Sequence, residues 1–371
     1  MPRNDSGKPV RQRESSPVPA GQEANENVRG KKRFRVGITA DFEKPGDRLL
    51  GPAPEEILGA VPGIEWEIMP DTAGVAVPEI LDRYEAVIAL DFHIPAESFR
   101  GVQRLMLIAR WGVGYDRVNV AACTEADVIL AITPDSVRRP VAEGQLALIF
   151  ALAKNLRKLD RNCRAGLWRE QAPRGISIEG KTLGSVGLGN IGRELFRLAR
   201  GVGFRRLLAY SPRTSRGEEL SRDAVFTDLD TLMRESDFIV INCPLNEETR
   251  GMIGARQLTL MKPTAYLINT ARGAIVDEAA LVEALRSRRI AGAGLDVFEK
   301  EPALAGHPLF ELENVVLSPH SIARTEECIR ATSISACRNV LAVARGSAPA
   351  YVVNREVLSR PGIQKKLARF Q

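Results

Sequence analysis

The sequence predicts an α/β protein with parallel sheets in two units. Two observations support this prediction. Short apolar, β-branched runs alternate with helical segments in two successive series, and a glycine-rich turn joins one such run to a helix. The length of 371 residues agrees, because it corresponds to two to three domains of roughly 150 residues each.

The first series begins directly after a basic stretch. Its strands are predicted by apolar runs at residues 34–39, 86–90, 104–109 and 128–132, and short helices are predicted at 54–60 and 95–100. A long helix is then predicted over 141–164, with Pro140 in its first turn and no internal proline. A helix of this length is suited to connecting the two units.

The second series is more regular. Its strands are predicted at residues 182–188, 206–210, 238–242, 265–269, 292–297 and 315–318. Helices are predicted at 191–200 and at 277–287, where Asp277 favours a helix start. A last long helix over 325–345 is followed by a polar tail.

Charge and composition exclude several classes of protein. The net charge is +6, but residues 1–33 carry +4 of it, and their polar composition predicts a disordered basic tail. The near-neutral remainder gives no sign of a nucleic-acid or membrane partner. No apolar run is long enough for a secretory signal or a membrane span, so we expect a cytoplasmic protein. Five scattered cysteines without metal-ligand spacing predict reduced thiols and no metal site.

The run Gly187-Leu-Gly-Asn-Ile-Gly192 follows a predicted strand and opens a predicted helix. In such a turn Gly187 permits the sharp bend, Gly189 lets the backbone approach a pyrophosphate, and Gly192 lets helix and strand pack closely. The N–H groups at the helix start then face the phosphates. The sequence therefore predicts a dinucleotide-binding unit of the Rossmann type.

The end of the next strand bears on the choice between NAD and NADP. A carboxylate that binds the ribose is expected about 20 residues beyond the glycines. Ser211 lies there, nineteen residues after Gly192, and is followed by Arg213 and Thr214, which together are suited to a 2′-phosphate. NADP is slightly favoured, and a surface turn that tolerates either cofactor is the alternative.

Polar residues also follow three of the later strands. They are Asn269-Thr-Ala-Arg272-Gly, Asp296 to Glu301-Pro302, and Ser318-Pro-His320. The carboxyl ends of parallel strands form the edge at which open α/β sheets bind ligands. The chain has three histidines, and His320 is the one whose position predicts a catalytic acid or base.

These motifs, together with Ala109-Arg-Trp-Gly-Val-Gly114-Tyr-Asp116 and Asn242-Cys-Pro-Leu-Asn-Glu-Glu-Thr249, resemble the D-isomer-specific 2-hydroxyacid dehydrogenase family over nearly all of residues 34–355. The resemblance implies a homodimer of chains with two Rossmann-like domains each. A flavodoxin-like substrate domain would comprise residues 34–139 and 322–355, and an NAD(P)-binding domain at 140–321 would be inserted into it. Residues 356–371 would form a C-terminal tail.

The resemblance also implies roles for single residues. Arg272 would bind the carboxylate of a 2-oxo acid, with the N–H groups of Val113 and Gly114 on the opposite wall. His320 would protonate the carbonyl oxygen, and Glu301 would orient the imidazole and raise its pKa.

Further residues are implied for the cofactor and the substrate. Asn190 and Ile191 would contact the pyrophosphate. Cys243, Pro244 and Thr249 would line the adenosine side, and Thr270, Ala271 and Asp296 would orient the nicotinamide. Arg324 departs from the pattern of many relatives, so it is a candidate for binding a second anionic group of the substrate.

The sequence thus predicts an NAD(P)-dependent oxidoreductase that interconverts a 2-oxo acid and its (R)-2-hydroxy acid by hydride transfer. Two alternatives stay open at this point. One is a phosphite- or 3-phosphoglycerate-type dehydrogenase of the same fold. The other is a dinucleotide-sensing binding protein similar to corepressors that share the fold.

Overall fold

The computed structural model describes residues 33–43, 49–169, 172–211, 219–221 and 224–371. The predicted basic tail therefore lies outside the described residues apart from Arg33, as do Arg213 and Thr214. In the described part of the chain, no helix has the length and apolarity that crossing a membrane requires.

The first sheet has five parallel strands in the order β2-β1-β3-β4-β5. They are β1 Phe34–Ile38, β2 Ile64–Ile68, β3 Ala86–Ala89, β4 Leu107–Arg110 and β5 Ile129–Ala131. Four of them confirm the predicted strands with shifted ends. The edge strand β2 was not predicted, although its sequence I-E-W-E-I alternates between apolar and charged residues as a half-exposed edge strand does.

The elements between these strands are short. They are α1 Pro78–Leu81, α2 Val120–Glu125, a π-helical turn at Pro54–Leu58 and 3-10 turns at Ala40–Glu43 and Ala96–Phe99. The short helices predicted at 54–60 and 95–100 are therefore π-helical and 3-10 turns.

The connecting helix differs from its prediction. It begins earlier, as α3 Pro134–Ala153 with Pro140 inside it, and a second helix, α4 Leu156–Arg164, follows. Pro134 provides the helix start that was assigned to Pro140, because proline is favoured in a first turn. The break falls at Asn155, whose φ of +52° is left-handed, a conformation that asparagine adopts more readily than most residues.

The second sheet has eight strands in the order β13-β12-β11-β10-β6-β7-β9-β8, and only the pairing of β8 with β9 is antiparallel. The strands are β6 Thr182–Val186, β7 Arg206–Tyr210, β8 Glu219–Ser221, β9 Ala224–Phe226, β10 Phe238–Ile241, β11 Tyr266–Asn269, β12 Gly292–Leu295 and β13 Val315–Leu317. The short strands β8 and β9 were not predicted, and the other six confirm the predicted series.

The strand order reverses between β6 and β10, which are neighbours in the sheet although β7 follows β6 in the chain. A crevice at the carboxyl ends of the strands is expected at such a reversal, and ligands of open α/β sheets bind there. The helices of this unit are α5 Asn190–Gly201, α6 Leu229–Glu235, α7 Ala255–Leu260 and α8 Glu278–Arg286. Asp277 caps α8 as predicted, accepting a hydrogen bond from the Ala280 N–H at 3.0 Å.

The chain returns to the first sheet through α9 Glu326–Ala344, which Thr325 caps. Ala336, Val340 and Val343 of this helix are buried in the same apolar core as Phe34 and Val36 of β1. The first sheet is therefore packed by residues from both ends of the described chain.

The prediction of a polar tail at residues 356–371 is wrong. This segment forms a 3-10 turn, Arg355–Ser359, and helix α10 Pro361–Leu367, and it buries Val357 and Ile363 in the first core. The Lys366 ammonium group donates to the carbonyl oxygens of Leu105, Ala126 and Asp127. Widely spaced apolar side chains between charged residues gave the segment a polar composition, although one face of it is apolar.

Candidate active site

The glycine-rich turn connects β6 to α5, and the space around a Cβ atom differs at each of its three glycines. Gly187 has a φ of +95°, and a Cβ there would lie 2.6 Å from the Cys243 nitrogen. A Cβ on Gly192 would lie 3.1 Å from the Gly187 carbonyl oxygen, so helix and turn are tightly packed. At Gly189 the space that a Cβ would occupy is open.

This open space adjoins the first residue of α5, Asn190, which is followed by Ile191. The first N–H groups of a helix have no partners within the helix, and the helix dipole favours negative charge beside them. The turn thus combines room for close approach with donors for an anion. These features fit the pyrophosphate of a dinucleotide.

Ser211 lies directly beyond β7, next to the turn. The Gly187 N–H donates to the Tyr210 carbonyl oxygen at 2.8 Å, which brings the end of β7 against the glycines. The structure therefore places Ser211 where the sequence put it relative to the glycine turn, and the residue at this position is not a carboxylate.

The segment after β10 carries three of the predicted cofactor residues. Thr249 is buried, and its hydroxyl donates to the Pro244 carbonyl oxygen at 2.7 Å and accepts from the Asn246 N–H at 2.9 Å. Its side chain therefore holds this loop together. Burial raises the pKa of Cys243 to about 11, so its thiol stays protonated near neutral pH and is poorly suited to act as a nucleophile.

A buried hydrogen-bond network, which the sequence did not predict, lies at the strand-order reversal. The Gln145 side chain from α3 is fully buried and donates from Nε2 to Asn242 Oδ1 at 2.7 Å and to Thr270 Oγ1 at 2.8 Å. Asn242 donates to Ser185 Oγ, which in turn donates to the Gly187 carbonyl oxygen at 2.7 Å. The network links the glycine turn to the loop that carries Arg272.

That loop follows β11, and Asn269 shapes it. The buried Asn269 side chain accepts from the Ala271 N–H at 3.0 Å and donates to the Arg272 carbonyl oxygen at 2.9 Å. A Cβ on Gly273 would lie 1.9 Å from the carbonyl carbon of Phe298, so only glycine allows these two main-chain segments to meet. This contact brings the Arg272 loop against the loop that carries Glu301.

The Arg272 side chain reaches from the second sheet to the loop after β4 of the first sheet. Its Nε donates to Asp116 Oδ1 at 2.8 Å and its Nη1 donates to the Ala271 carbonyl oxygen at 2.7 Å. Its Nη2 lies so close to Gly114 that a Cβ there would be 1.5 Å away. Burial opposes ionisation of Asp116, but the charge and hydrogen bond of Arg272 outweigh it and lower the pKa of that carboxyl.

Val113 and Gly114 lie on the first-sheet side of the Arg272 guanidinium. Within the described part of the chain, their N–H groups donate to no protein acceptor. They are therefore open donors beside a cation, an arrangement suited to a small anion.

His320 and Glu301 form a pair. Their Nδ1 and Oε2 atoms lie 2.8 Å apart, and the other Glu301 oxygen accepts from the Phe298 N–H at 3.0 Å. Burial opposes ionisation of Glu301, but the hydrogen bond and charge of His320, the Phe298 N–H and the charge of Arg272 together lower its pKa. The carboxylate is therefore kept ionised beside the imidazole, and Nε2 of His320 pairs with no protein group among the described residues.

Asp296 holds the His320 loop. His320 has a left-handed φ of +53°, and its N–H donates to the Asp296 carbonyl oxygen at 2.7 Å. Asp296 Oδ1 accepts from the N–H groups of Ser321 and Ile322 at 2.9 and 3.1 Å. These bonds explain why a buried aspartate is present here, and the predicted contact of Asp296 with the nicotinamide stays a prediction.

The remaining candidates lie in different surroundings. Arg324 is exposed just before α9, and its N–H donates to the Ser321 carbonyl oxygen. His307 Nε2 lies 3.0 Å from Glu278 Oε1, and its ring packs against Phe298 and Phe310. These contacts give His307 a role in packing rather than in catalysis. His93 is an exposed residue in an isolated bridge with Val75.

Comparisons with known proteins agree with this geometry. The family model "D-isomer specific 2-hydroxyacid dehydrogenase, NAD binding domain" matches residues 146–321. A glyoxylate reductase from Thermococcus onnurineus is 40% identical over 300 residues, which cover 78% of this chain and 89% of that protein.

Solved structures show the same fold. A glyoxylate reductase from Paecilomyes thermophila matches with a TM-score of 0.75 and 27% identity, over 87% of this chain and 99% of that one. An NADPH-dependent glyoxylate/hydroxypyruvate reductase from Sinorhizobium meliloti, in complex with NADP and malonate, matches with a TM-score of 0.74 and 28% identity, over 87% and 98% of the two chains.

The lowered pKa of Glu301 predicts a pH-dependent contribution to stability. A carboxyl whose pKa is lower in the folded than in the unfolded protein stabilises the fold above its unfolded pKa, and this contribution is lost as the pH falls. The thermal midpoint of wild type should therefore exceed that of Glu301→Gln at pH 7, and the difference should shrink below about pH 5. Glu299→Gln, at an exposed neighbour, is the control. A difference that stays constant down to pH 4 would contradict this assignment.

Proposed function

The chain belongs to the D-isomer-specific 2-hydroxyacid dehydrogenase family, and on that premise we propose that it reduces a small 2-oxo acid, such as glyoxylate, at the site formed by Arg272 and the His320–Glu301 pair. It is an enzyme that uses a nicotinamide dinucleotide to interconvert 2-oxo and 2-hydroxy acids. The observation that carries the proposal is the placement of Arg272 and the His320–Glu301 pair on adjoining loops, at the same edge of the second sheet as the glycine turn.

Arg272 and the first-sheet loop bind the substrate carboxylate in this proposal. The Arg272 Nη2 has no protein partner among the described residues, and the N–H groups of Val113 and Gly114 are open beside it. A guanidinium presents donors in a planar fork that matches a carboxylate, and it also polarises the adjacent carbonyl. The substrate is thereby held with its carbonyl carbon in a fixed position.

His320 supplies the proton. Its Nδ1 is engaged by Glu301, so Nε2 is the nitrogen that faces the substrate oxygen. Glu301 holds the ring in place through Nδ1, and His320 then donates its Nε2 proton to the carbonyl oxygen. A nicotinamide dinucleotide held at the glycine turn would supply the hydride for the carbonyl carbon, so that the product would be an (R)-2-hydroxy acid where that carbon becomes chiral.

The cofactor site uses the residues around the glycine turn. Gly189, Asn190 and Ile191 would hold the pyrophosphate, Cys243 and Pro244 would line the adenosine side, and Thr270 and Ala271 would orient the nicotinamide. The open space at Gly189 and the contact between Gly187 and Cys243 support this arrangement.

The test of the function is turnover with purified protein. We expect the protein to oxidise NADPH or NADH in the presence of glyoxylate, hydroxypyruvate or larger 2-oxo acids. The loss of absorbance of the reduced cofactor measures the rate. His320→Ala should lower kcat by about 10²–10⁴-fold, the usual contribution of a general acid. Arg272→Ala should lower kcat and raise KM for the 2-oxo acid. His93→Ala, at an exposed histidine, serves as the control, and undiminished turnover in His320→Ala would refute the mechanism.

We further propose that NADPH is the preferred cofactor. Ser211 occupies the position beside the glycine turn where a carboxylate would repel a 2′-phosphate. Arg213 and Thr214, the other residues predicted to bind this phosphate, lie outside the described residues. The preference therefore rests on the absence of a carboxylate at 211 and on the sequence that follows it.

Ser211→Asp tests this preference. An added carboxylate accepts hydrogen bonds from the ribose hydroxyls of NADH and repels a 2′-phosphate. We expect kcat/KM to fall for NADPH and to rise for NADH, with KM for the 2-oxo acid unchanged. Ser215→Asp, four residues further along, is a matched control. A wild type that favours NADH would contradict the proposal directly.

We also propose that the enzyme is a homodimer joined at an apolar strip along α3, α4 and the turn after α4. Of the seven exposed large hydrophobic residues in the described part of the chain, four belong to this strip: Phe150, Leu156, Leu167 and Trp168. Leu156 is 58% exposed and Trp168 is 66% exposed. Soluble monomers rarely leave such concentrations of apolar surface uncovered, and a second copy of the chain would bury it.

Light scattering coupled to size-exclusion chromatography measures the mass in solution. Wild type should have the mass of two chains, and the double variant Leu156→Glu, Trp168→Glu should have that of one chain, because buried charges oppose association. Leu304→Glu adds a charge at an exposed leucine outside the strip and should leave the dimer intact. A monomeric wild type would refute the dimer.

A further inference from the structure

We propose that Asp116 is a positioning residue that fixes the Arg272 guanidinium across the cleft and leaves one of its nitrogens, Nη2, for the carboxylate of the substrate. This inference rests on the proposed function and deepens it. Asp116 belongs to the loop after β4 of the first sheet, whereas Arg272 follows β11 of the second sheet. Their ion pair therefore joins the two sides of the site.

The hydrogen bonds of Arg272 determine the orientation of its side chain. Asp116 Oδ1 accepts from Nε, and the Ala271 carbonyl oxygen accepts from Nη1. Because a guanidinium is planar, two bonds to different nitrogens fix both its position and its plane. The third nitrogen, Nη2, packs against Gly114 and forms no hydrogen bond with the described residues.

Arg272 has a second acidic neighbour, Glu301. Its positive charge contributes to lowering the pKa of Glu301, although no hydrogen bond joins the two side chains. Glu301 is instead engaged by His320 and by the Phe298 N–H. By pairing with Arg272, Asp116 keeps the guanidinium from pairing with Glu301. Glu301 thereby stays available to hold the imidazole of His320.

A second arginine makes this pairing more important. Arg110, at the end of β4, is 8% exposed, and its Nη1 donates to the carbonyl oxygens of Ala89 and Trp111. Burial, opposed by the charges of Asp91 and Asp116 and assisted by that of Arg272, lowers the pKa of Arg110 to about 10. Asp116 thus interacts with two cations, and its removal would leave Arg110 and Arg272 to repel each other.

The experiment is a double-mutant cycle between Asp116 and Arg272, with glyoxylate and NADPH as substrates. Asp116→Ala should raise KM for glyoxylate by about 10- to 100-fold, the range expected when a charged hydrogen bond is lost, with KM for NADPH unchanged. Asp116→Asn keeps a weaker acceptor for Nε and should give an intermediate KM. In the Arg272→Ala background, Asp116→Ala should leave kcat/KM unchanged, because Asp116 acts through Arg272.

Glu65→Gln, which removes a carboxylate from an exposed pair with Arg33 at the edge of the first sheet, is the control and should behave as wild type. Three results would overturn the inference: a wild-type KM for glyoxylate in Asp116→Ala, an equal loss in both backgrounds of the cycle, or a parallel rise in KM for NADPH. The last would indicate a general structural role.

Binding of oxamate, an unreactive analogue of a 2-oxo acid, separates this inference from the proposed function. Calorimetry on the enzyme with NADPH measures the affinity of each variant without turnover. Weaker oxamate binding in both Asp116→Ala and Arg272→Ala supports the inference even if no 2-oxo acid is reduced. Weaker binding in Arg272→Ala alone overturns the inference and leaves the proposed function in place.

Discussion

The active site depends on a contact between two stretches of main chain. At Gly273 the loop after β11 lies directly against Phe298 and Glu299 of the loop after β12, with no room for a side chain between them. This contact determines how far Arg272 is from Glu301, and the Glu301–His320 bond then places the imidazole. Backbone geometry thus fixes the spacing of the two loops, and the side chains of Asp116 and Glu301 then orient the guanidinium and the imidazole. Such geometry restricts how far Arg272 and His320 can move relative to each other.

Electrostatic balance is a second requirement of the same site. The cleft contains two arginines and two acidic residues whose carboxyl pKa values are lowered, and each carboxylate has a specific partner. Asp116 pairs with Arg272, and Glu301 pairs with His320. The site therefore holds several charges in a small volume while leaving Arg272 Nη2 and the N–H groups of Val113 and Gly114 available. An anionic ligand is the natural complement to these open donors.

Local patterns in the sequence predicted the elements whose signal is local. Gly187, Gly189 and Gly192 were assigned from spacing alone, and the steric surroundings of each glycine agree with its assigned part in the turn. The site features that were missed depend on distant contacts. Gln145 lies in a helix whose pattern indicates only a buried face, and its partners Asn242 and Thr270 are about 100 or more residues away.

Two errors in the fold have different causes. The prediction of a polar tail is wrong because the apolar side chains of α10 are buried in a core that includes residues of β1 to β5, more than 200 positions earlier. The start of α3 was misplaced because two prolines, Pro134 and Pro140, both satisfy the rule for a first turn. In the first case the contacts that determine the structure are distant in sequence, and in the second a local rule does not distinguish between two positions.

The packing of α9 and α10 on the first sheet has a consequence for synthesis of the chain. A ribosome completes β1 to β5 early, but the core of that sheet also needs Val343 and Ile363, which are synthesised more than 200 residues after β5. The second sheet, from β6 to β13, is synthesised entirely between those two stages. Its core consists of residues from within that interval and so has its partners available sooner. The first sheet is thus begun before the second, but its interior is closed only after α9 and α10 have been synthesised.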